Sequence, residues 1–521
     1  MYFGEDPLFG LLRRIGKPVE GHRPWPRYTT TPGGWRTLIE ALAGNTWSLL
    51  GLWAEPGVVH AALREDMAGE VAVVSLDCPD GSFPSLSGVR AGSVRLERAI
   101  QDLYGLTAER LTDPRPWLDH DKWGVRRPLS NDPAAPMPEP PVYTFLPVEG
   151  EGLHQVPVGP VHAGTIEPGH FRFTCNGETV VRLEQRLGWV HKGIEGLMRG
   201  KTVEEAAKLA ARVSGDSTVA YSLAFAQAVE AALGIAVPAR AVWLRALMAE
   251  LERLANHLGD IGAVCNDAAF GFMLAELSQL REMVLRTSDA CFGHRLMMDR
   301  VVPGGVAVDI SPDGAARLLE MAAELRRRFP PLVIIYDEKT SLQDRTVTTG
   351  IVSGSLVNRF GAGGFVGRAS GRGMDARRSP SYPPYEDLEF EVPVLTEGDV
   401  NARVWIRIRE VEQSLGLIEQ IVKRIPGVPR DANGETPLPR VPIKEPVGDG
   451  PWEGMALVEG FRGEIMTWVR VNADGTIDRC HPRDPSWFQW PLLEAAIEGN
   501  IVADFPICNK SFNCSYSGHD L

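Results

Sequence analysis

Asp216 stands between two serines, Ser214 and Ser217, and just beyond Arg212, so one short run holds a carboxylate, two hydroxyls and a guanidinium. At a helix start such a carboxylate either caps free backbone N–H groups or titrates in a proton relay, and the residues leave both roles open. Upstream, His162, Glu167, His170, His191 and Glu195 supply the imidazoles and carboxyls from which a relay is built, given a shielded cavity to shift their pKa values. The cysteines are Cys78, Cys175, Cys265, Cys291, Cys480, Cys508 and Cys514. No two are spaced as Cys-x-x-Cys, so neither a zinc site nor a local iron–sulfur loop is expected, and buried reduced thiols are. Cys508 and Cys514 are given the same structural role. The stretch Gly361–Arg378 carries Arg368, Arg372, Arg377 and Arg378. Contact between subunits or pairing with acidic partners is the favoured reading there, ahead of ligand binding.

Those groups need elements to hold them. Residues 1–33 are rich in Pro, Gly and Thr and predict an irregular extension. A small α/β domain follows over 34–130, with a helix at Trp35–Leu42, a strand at Glu70–Leu76 and a helix at Val94–Tyr104 that puts Leu96, Ile100 and Leu103 on one face. Prolines crowd into 131–160 and predict an extended linker. The second domain, 161–521, opens with a hairpin turning at Asn176-Gly177. Helices are expected near 216–233, 238–264, 272–298, 314–329 and 402–425, with a β-rich C-terminal segment. On the second helix Glu250, Arg253 and His257 share a face, which predicts a solvated ion-pair stripe worth only tenths of a kcal/mol. The fold class is α+β: a small N-terminal α/β domain linked to a mostly α-helical domain with peripheral β-hairpins.

Composition narrows the classes. A chain of 521 residues with 44% hydrophobic and 23% charged residues is that of a globular protein of two or three domains. No run of about 18 apolar residues predicts a membrane span. The acidic start, with Glu5 and Asp6, does not resemble a signal peptide, so the expected location is cytoplasmic. A net charge of −13 argues against nucleic acid or anionic lipid as direct partners.

Several runs are more specific. Gly159-Pro-Val-His-Ala-Gly-Thr-Ile-Glu-Pro-Gly-His-Phe-Arg-Phe resembles the opening of energy-converting nickel–iron hydrogenase large subunits, and Leu187-Gly-Trp-Val-His-Lys-Gly-Ile-Glu, Glu250-Leu-Glu-Arg-Leu-Ala-Asn-His-Leu, Arg368-Ala-Ser-Gly, Asp375-Ala-Arg-Arg and Glu459-Gly-Phe-Arg-Gly-Glu resemble both those hydrogenases and the quinone-site (49 kDa) subunit of complex I. Phe83-Pro-Ser-Leu, Arg95–Leu106 and Asp113-Pro-Arg-Pro-Trp-Leu resemble the 30 kDa subunit of complex I. The fused order is similar to formate-hydrogenlyase-type large subunits.

The resemblance implies a peripheral subunit on the cytoplasmic face of the inner membrane. It also implies a small iron–sulfur partner subunit that carries the cluster, and antiporter-like and anchor membrane subunits. In the hydrogenases two Cys-x-x-Cys loops hold the metals. Here their ligand positions are Ser214, Ser217, Ser515 and Gly518, so no metal is expected on this chain, because hydroxyls do not replace thiolates at nickel. In complex I the same cavity takes a quinone, through a histidine matched by His162 or His170 and a tyrosine whose position is Gly215; Tyr221 lies further along and is not expected to replace it. His162, His170, Arg212 and Asp216 are therefore the candidate cavity or relay residues, with Arg368 a candidate cofactor contact and a quinone the candidate ligand.

Overall fold

The computed structural model describes residues 7–44, 47–133, 142–162, 166–427, 437–443, 446, 450 and 452–521. The fold is α+β. A five-stranded sheet runs in the order Gly16–Val19, Arg27–Thr30, Val71–Asp77, Val58–Glu65, Trp47–Glu55. Helix Ser93–Tyr104 packs on its last strand.

The N-terminal stretch departs from the irregular extension expected of it. Leu8–Ile15 is a helix whose Leu8, Leu11 and Leu12, at helical spacing, are buried. Arg27–Thr30 pairs parallel with Val71–Asp77, and His22–Arg23 pairs parallel with Glu453–Gly454 in the C-terminal sheet. Strands this short show no usable alternation in the sequence, and their pairing partners lie far along the chain. The proline-rich stretch forms no helix or strand before Leu153 where described; 134–141 lie outside the described residues. Its end, Leu153–Val158, is the edge strand of a sheet with His170–Asn176 and Thr179–Arg186, and an edge tolerates Pro157. The hairpin turn is displaced by one residue: Asn176 pairs with Thr179, leaving Gly177-Glu178 as the loop, with Gly177 at φ +57°.

The long helices are Thr218–Leu233, Ala239–Asp267, Gly271–Phe292, Pro312–Glu338 and Val400–Arg424. The third stops short of the expected 298 because Gly293 takes a left-handed cap at φ +69°. The fourth continues through Pro330-Pro331, where the sequence predicts a stop. Its buried stripe of Leu318, Met321, Leu325, Phe329, Leu332 and Tyr336 keeps the helical period across the prolines, so packing overrides the local break. Helix Ala239–Asp267 lies at the centre, against the helices 271–292, 400–424 and 505–512. Glu250, Arg253 and His257 are consequently 0–1% exposed, not on a solvated stripe. The two parts of the chain are joined by ion pairs such as Arg95–Glu494 at 2.7 Å and Arg115–Glu184 at 2.5 Å.

Candidate functional site

The loop before helix Thr218–Leu233 meets the C-terminal turn Tyr516–Asp520, so positions 214 and 515 face each other. Their hydroxyl oxygens are 3.0 Å apart. Ser214 Oγ donates to Asp216 Oδ1 at 2.9 Å, which uses its one proton, so Ser515 Oγ must be the donor to Ser214. Ser515 Oγ in turn accepts from Gly518 N at 2.9 Å and caps the last short helix. Arg462 closes the other side with a bidentate pair to Asp216, Nη1 to Oδ1 at 2.8 Å and Nη2 to Oδ2 at 2.6 Å. Burial would raise the Asp216 carboxyl, but the guanidinium and the two serine hydroxyls hold it down at about 2. Such a group keeps its charge through neutral pH. Nor does its side chain cap the helix. Asp216 is a fixed anion that organises both loops.

Gly518, expected from the resemblance at the fourth ligand position, supplies no side chain. A Cβ there would lie 2.4 Å from Asp484 Oδ2, which already accepts from the Tyr221 hydroxyl at 2.5 Å. Burial and the Asp484 carboxylate push the Tyr221 phenol well up, so it remains a donor. Three serine hydroxyls, a glycine and an arginine–carboxylate pair do not fit a nickel–iron centre, which requires soft thiolates. The neighbouring Cys514 thiol is pushed up by burial and Cys508 up to about 12; both are free, as are the other cysteines.

The other expected residues fall elsewhere. Arg212 turns outward, with 45% of its side chain exposed, and pairs with Asp299 at 2.7 and 2.8 Å. It adjoins the serine loop in sequence yet contributes no group to it, because Arg462 takes the guanidinium role. His162 Nε2 bonds Gly169 O at 2.8 Å and His170 Nδ1 bonds Gly159 O at 3.2 Å, a reciprocal latch on their own loop. Burial lowers the His170 pKa. That loop reaches the serine site through Glu167, whose Oε2 accepts from Ser517 N at 3.2 Å, and through Gly169, where a Cβ would strike the Tyr516 ring at 2.6 Å. His191 Nδ1 bonds the Asp520 carbonyl, and Glu195 accepts from Tyr104 and bonds His481.

Arg368 is entirely buried, which removes it as a surface contact for acidic partners. It faces Glu459 at 3.0 Å, Glu410 at 3.2 Å and Asp375 at 3.5 Å. Arg377 joins Asp375 at 2.7 Å, Glu250 at 3.1 Å and Glu410 at 3.2 Å, and Arg253 meets Glu250 at 3.4 Å. Against these arginines the four carboxyls are one charge in excess, and burial beside Asp375 pushes the Glu459 carboxyl up. His257 sits between Phe365 and Phe461, held well below its usual pKa by burial and the surrounding arginines. The run Glu459-Gly-Phe-Arg462 therefore bridges this network and the serine site. Arg462, Asp484 and Glu410 were not among the expected site residues. Arg462 lies inside a run noted for its resemblance, but nothing local shows that it reaches back 246 positions to Asp216.

Comparison with known proteins agrees with this architecture. The profile "Respiratory-chain NADH dehydrogenase, 30 Kd subunit" matches residues 57–138, "Nickel-dependent hydrogenase" residues 192–259, and "Respiratory-chain NADH dehydrogenase, 49 Kd subunit" residues 267–520. The chain belongs to the family of complex I and membrane-bound hydrogenase large subunits, with the 30 kDa and 49 kDa parts fused. Among its relatives, formate hydrogenlyase subunit 5 of Escherichia coli (strain K12) is 29% identical over 86% of this chain and 78% of its own length. The carbon monoxide-induced hydrogenase of Rhodospirillum rubrum is 30% identical over 69% of this chain and 97% of its own. The fused C/D subunit of the NADH-quinone oxidoreductase of Phocaeicola vulgatus is 28% identical over 84% of this chain and 86% of its own. No helix among the described residues is long and apolar enough to cross a membrane.

Proposed function

We propose that this chain is the large subunit of a membrane-associated complex I-like oxidoreductase without a nickel–iron centre of its own. Electrons pass from a cluster in a partner iron–sulfur subunit to a quinone-type acceptor, and membrane subunits couple the reaction to ion translocation. The observation that carries the reading is the contact of Ser214 and Ser515 at 3.0 Å, closed by Arg462 and Asp216. The resemblance of the two loops to a hydrogenase's metal-binding loops supports reading this hydrogen-bonded ion pair as occupying that position, and the relatives include both hydrogenases and an NADH-quinone oxidoreductase subunit. The test is the affinity-purified assembled complex, assayed for nickel by mass spectrometry and for reduction of a short-chain quinone. Nickel below one-tenth atom per chain with quinone reduction is the expected result. One nickel per chain would overturn it.

A second reading, a non-redox scaffold and coupling subunit, is favoured by the same closure, since Asp216 is a fixed charge and Tyr221 is tied to Asp484. Absence of quinone reduction, with intact association of membrane subunits, would select it.

A further inference from the structure

The interface between the N-terminal sheet domain and the rest of the chain leaves a cavity of about 420 Å³. An open pocket of this size with apolar walls is of the kind that takes a small ligand. Its apolar wall comes from helix Ser93–Tyr104, which contributes Leu96, Ile100 and Leu103, and from Trp53, Trp123 and Trp487 on three other segments. Leu197, 49% exposed, stands at the rim.

The charged groups on the wall are already engaged. Glu195 accepts from the Tyr104 hydroxyl at 2.9 Å and bonds His481 Nδ1 at 2.6 Å, one partner on each oxygen. Lys192 Nζ donates to the carbonyls of Val213 at 3.3 Å and Ser517 at 3.1 Å. His191 Nδ1 bonds Asp520 O at 2.7 Å, and its ring stacks on Trp123 at 4.7 Å. A pocket of aromatic and aliphatic side chains whose charged groups are paired, with His481 Nε2 the buried atom left without a hydrogen-bond partner among those groups, favours an uncharged, largely apolar occupant.

We infer that this interdomain pocket is a binding site for a flat, uncharged molecule of one or two fused rings, separate from the serine site. Its floor makes the position consequential. Lys192 N and Gly193 N donate to Leu521 O at 2.8 and 3.0 Å, and the Lys192 ammonium bridges the segment before Ser214 to the one after Ser515. An occupant pressing on Lys192 or Leu521 acts on both serine loops. The inference does not depend on the redox reading above, since it asks only for binding.

The test uses the full chain with its co-purifying subunits, and measures binding of 2-methyl-1,4-naphthoquinone, 2-naphthol and naphthalene-2-sulfonate by isothermal titration calorimetry. Two variants address the pocket: Leu197→Trp, which narrows the mouth from an exposed position and should leave folding intact, and Ala99→Phe, which fills the wall. The neutral probes should bind, the sulfonate should bind at least tenfold more weakly than 2-naphthol, and Leu197→Trp should weaken the neutral probes at least tenfold. Binding of the quinone alone would identify the ligand as quinonoid, and binding of both neutral probes as a general apolar ring compound. Failure of both to bind, equal affinity for the sulfonate, or affinities unchanged in Leu197→Trp would overturn the assignment. Should Ala99→Phe not fold, Leu197→Trp decides alone.

Discussion

Replacing both Ser214 and Ser515 by cysteine converts the closest contact between the two loops into a chemical question. The hydroxyl oxygens are 3.0 Å apart and the residues 301 positions apart in the chain. A sulfur at each position needs little backbone adjustment to reach bonding distance. By chain-entropy scaling, closing a loop of that length destabilises the denatured state by roughly 5–6 kcal/mol, an upper bound because native strain subtracts from it. The assay is thiol titration of the denatured protein after mild oxidation, with mobility on a non-reducing gel and the unfolding midpoint alongside. Cross-linking leaves only the seven native thiols to titrate. The single variants Ser214→Cys and Ser515→Cys control for capture by Cys514, whose buried thiol lies beside Gln489. Two additional free thiols in the oxidised double variant, with an unchanged unfolding midpoint, would refute the packing of these loops against each other.

Further outcomes follow from the same geometry. Arg462→Ala should cost about 2–3 kcal/mol, below the full range for breaking a buried pair because Asp216 is partly exposed, while Arg212→Ala should cost less than about 1 kcal/mol as an exposed pair. Chemical denaturation of the two variants checks this, and equal losses would contradict it. Arg377→Met should cost about 3–5 kcal/mol or abolish soluble expression, since it leaves the four buried carboxyls of the network with only Arg368 and Arg253 to offset them; a melting curve like that of the parent would count against the network. Burial pushes the Glu252 carboxyl up to about 8, although Val219 N and Ala220 N donate to it. The folded state therefore holds a proton that the unfolded chain releases near pH 4.5, so this group's stabilisation is lost as pH rises from there to 8, by at most about 1.4 kcal/mol per unit. Glu252→Gln should flatten the stability–pH curve across that window, and an identical slope in the two proteins would rule the assignment out.

Much of the architecture was legible in the sequence because it rests on local periodicity. The long helices, the hairpin (its turn one residue further on, at Gly177-Glu178) and the helix Ser93–Tyr104 carry their apolar spacing or turn residues within a single window. That Ser214, Ser217, Ser515 and Gly518 carry no thiol is likewise a matter of residue identity. Tertiary structure decided what those residues touch. Arg212 and Arg462 are chemically equivalent in the sequence, and the first is the nearer to Asp216, yet the loop turns Arg212 toward Asp299 and brings Arg462 across from a distant strand pair. Glu250, Arg253 and His257 have the spacing of a solvated face, and are buried because helix Val400–Arg424 and the segments around Arg377 and Glu459–Phe461 cover that face. His22–Arg23 shows no strand signal of its own and becomes one by pairing with Glu453–Gly454. Spacing along a chain fixes which side chains share a face, whereas the partner of that face is set by contacts between segments hundreds of residues apart.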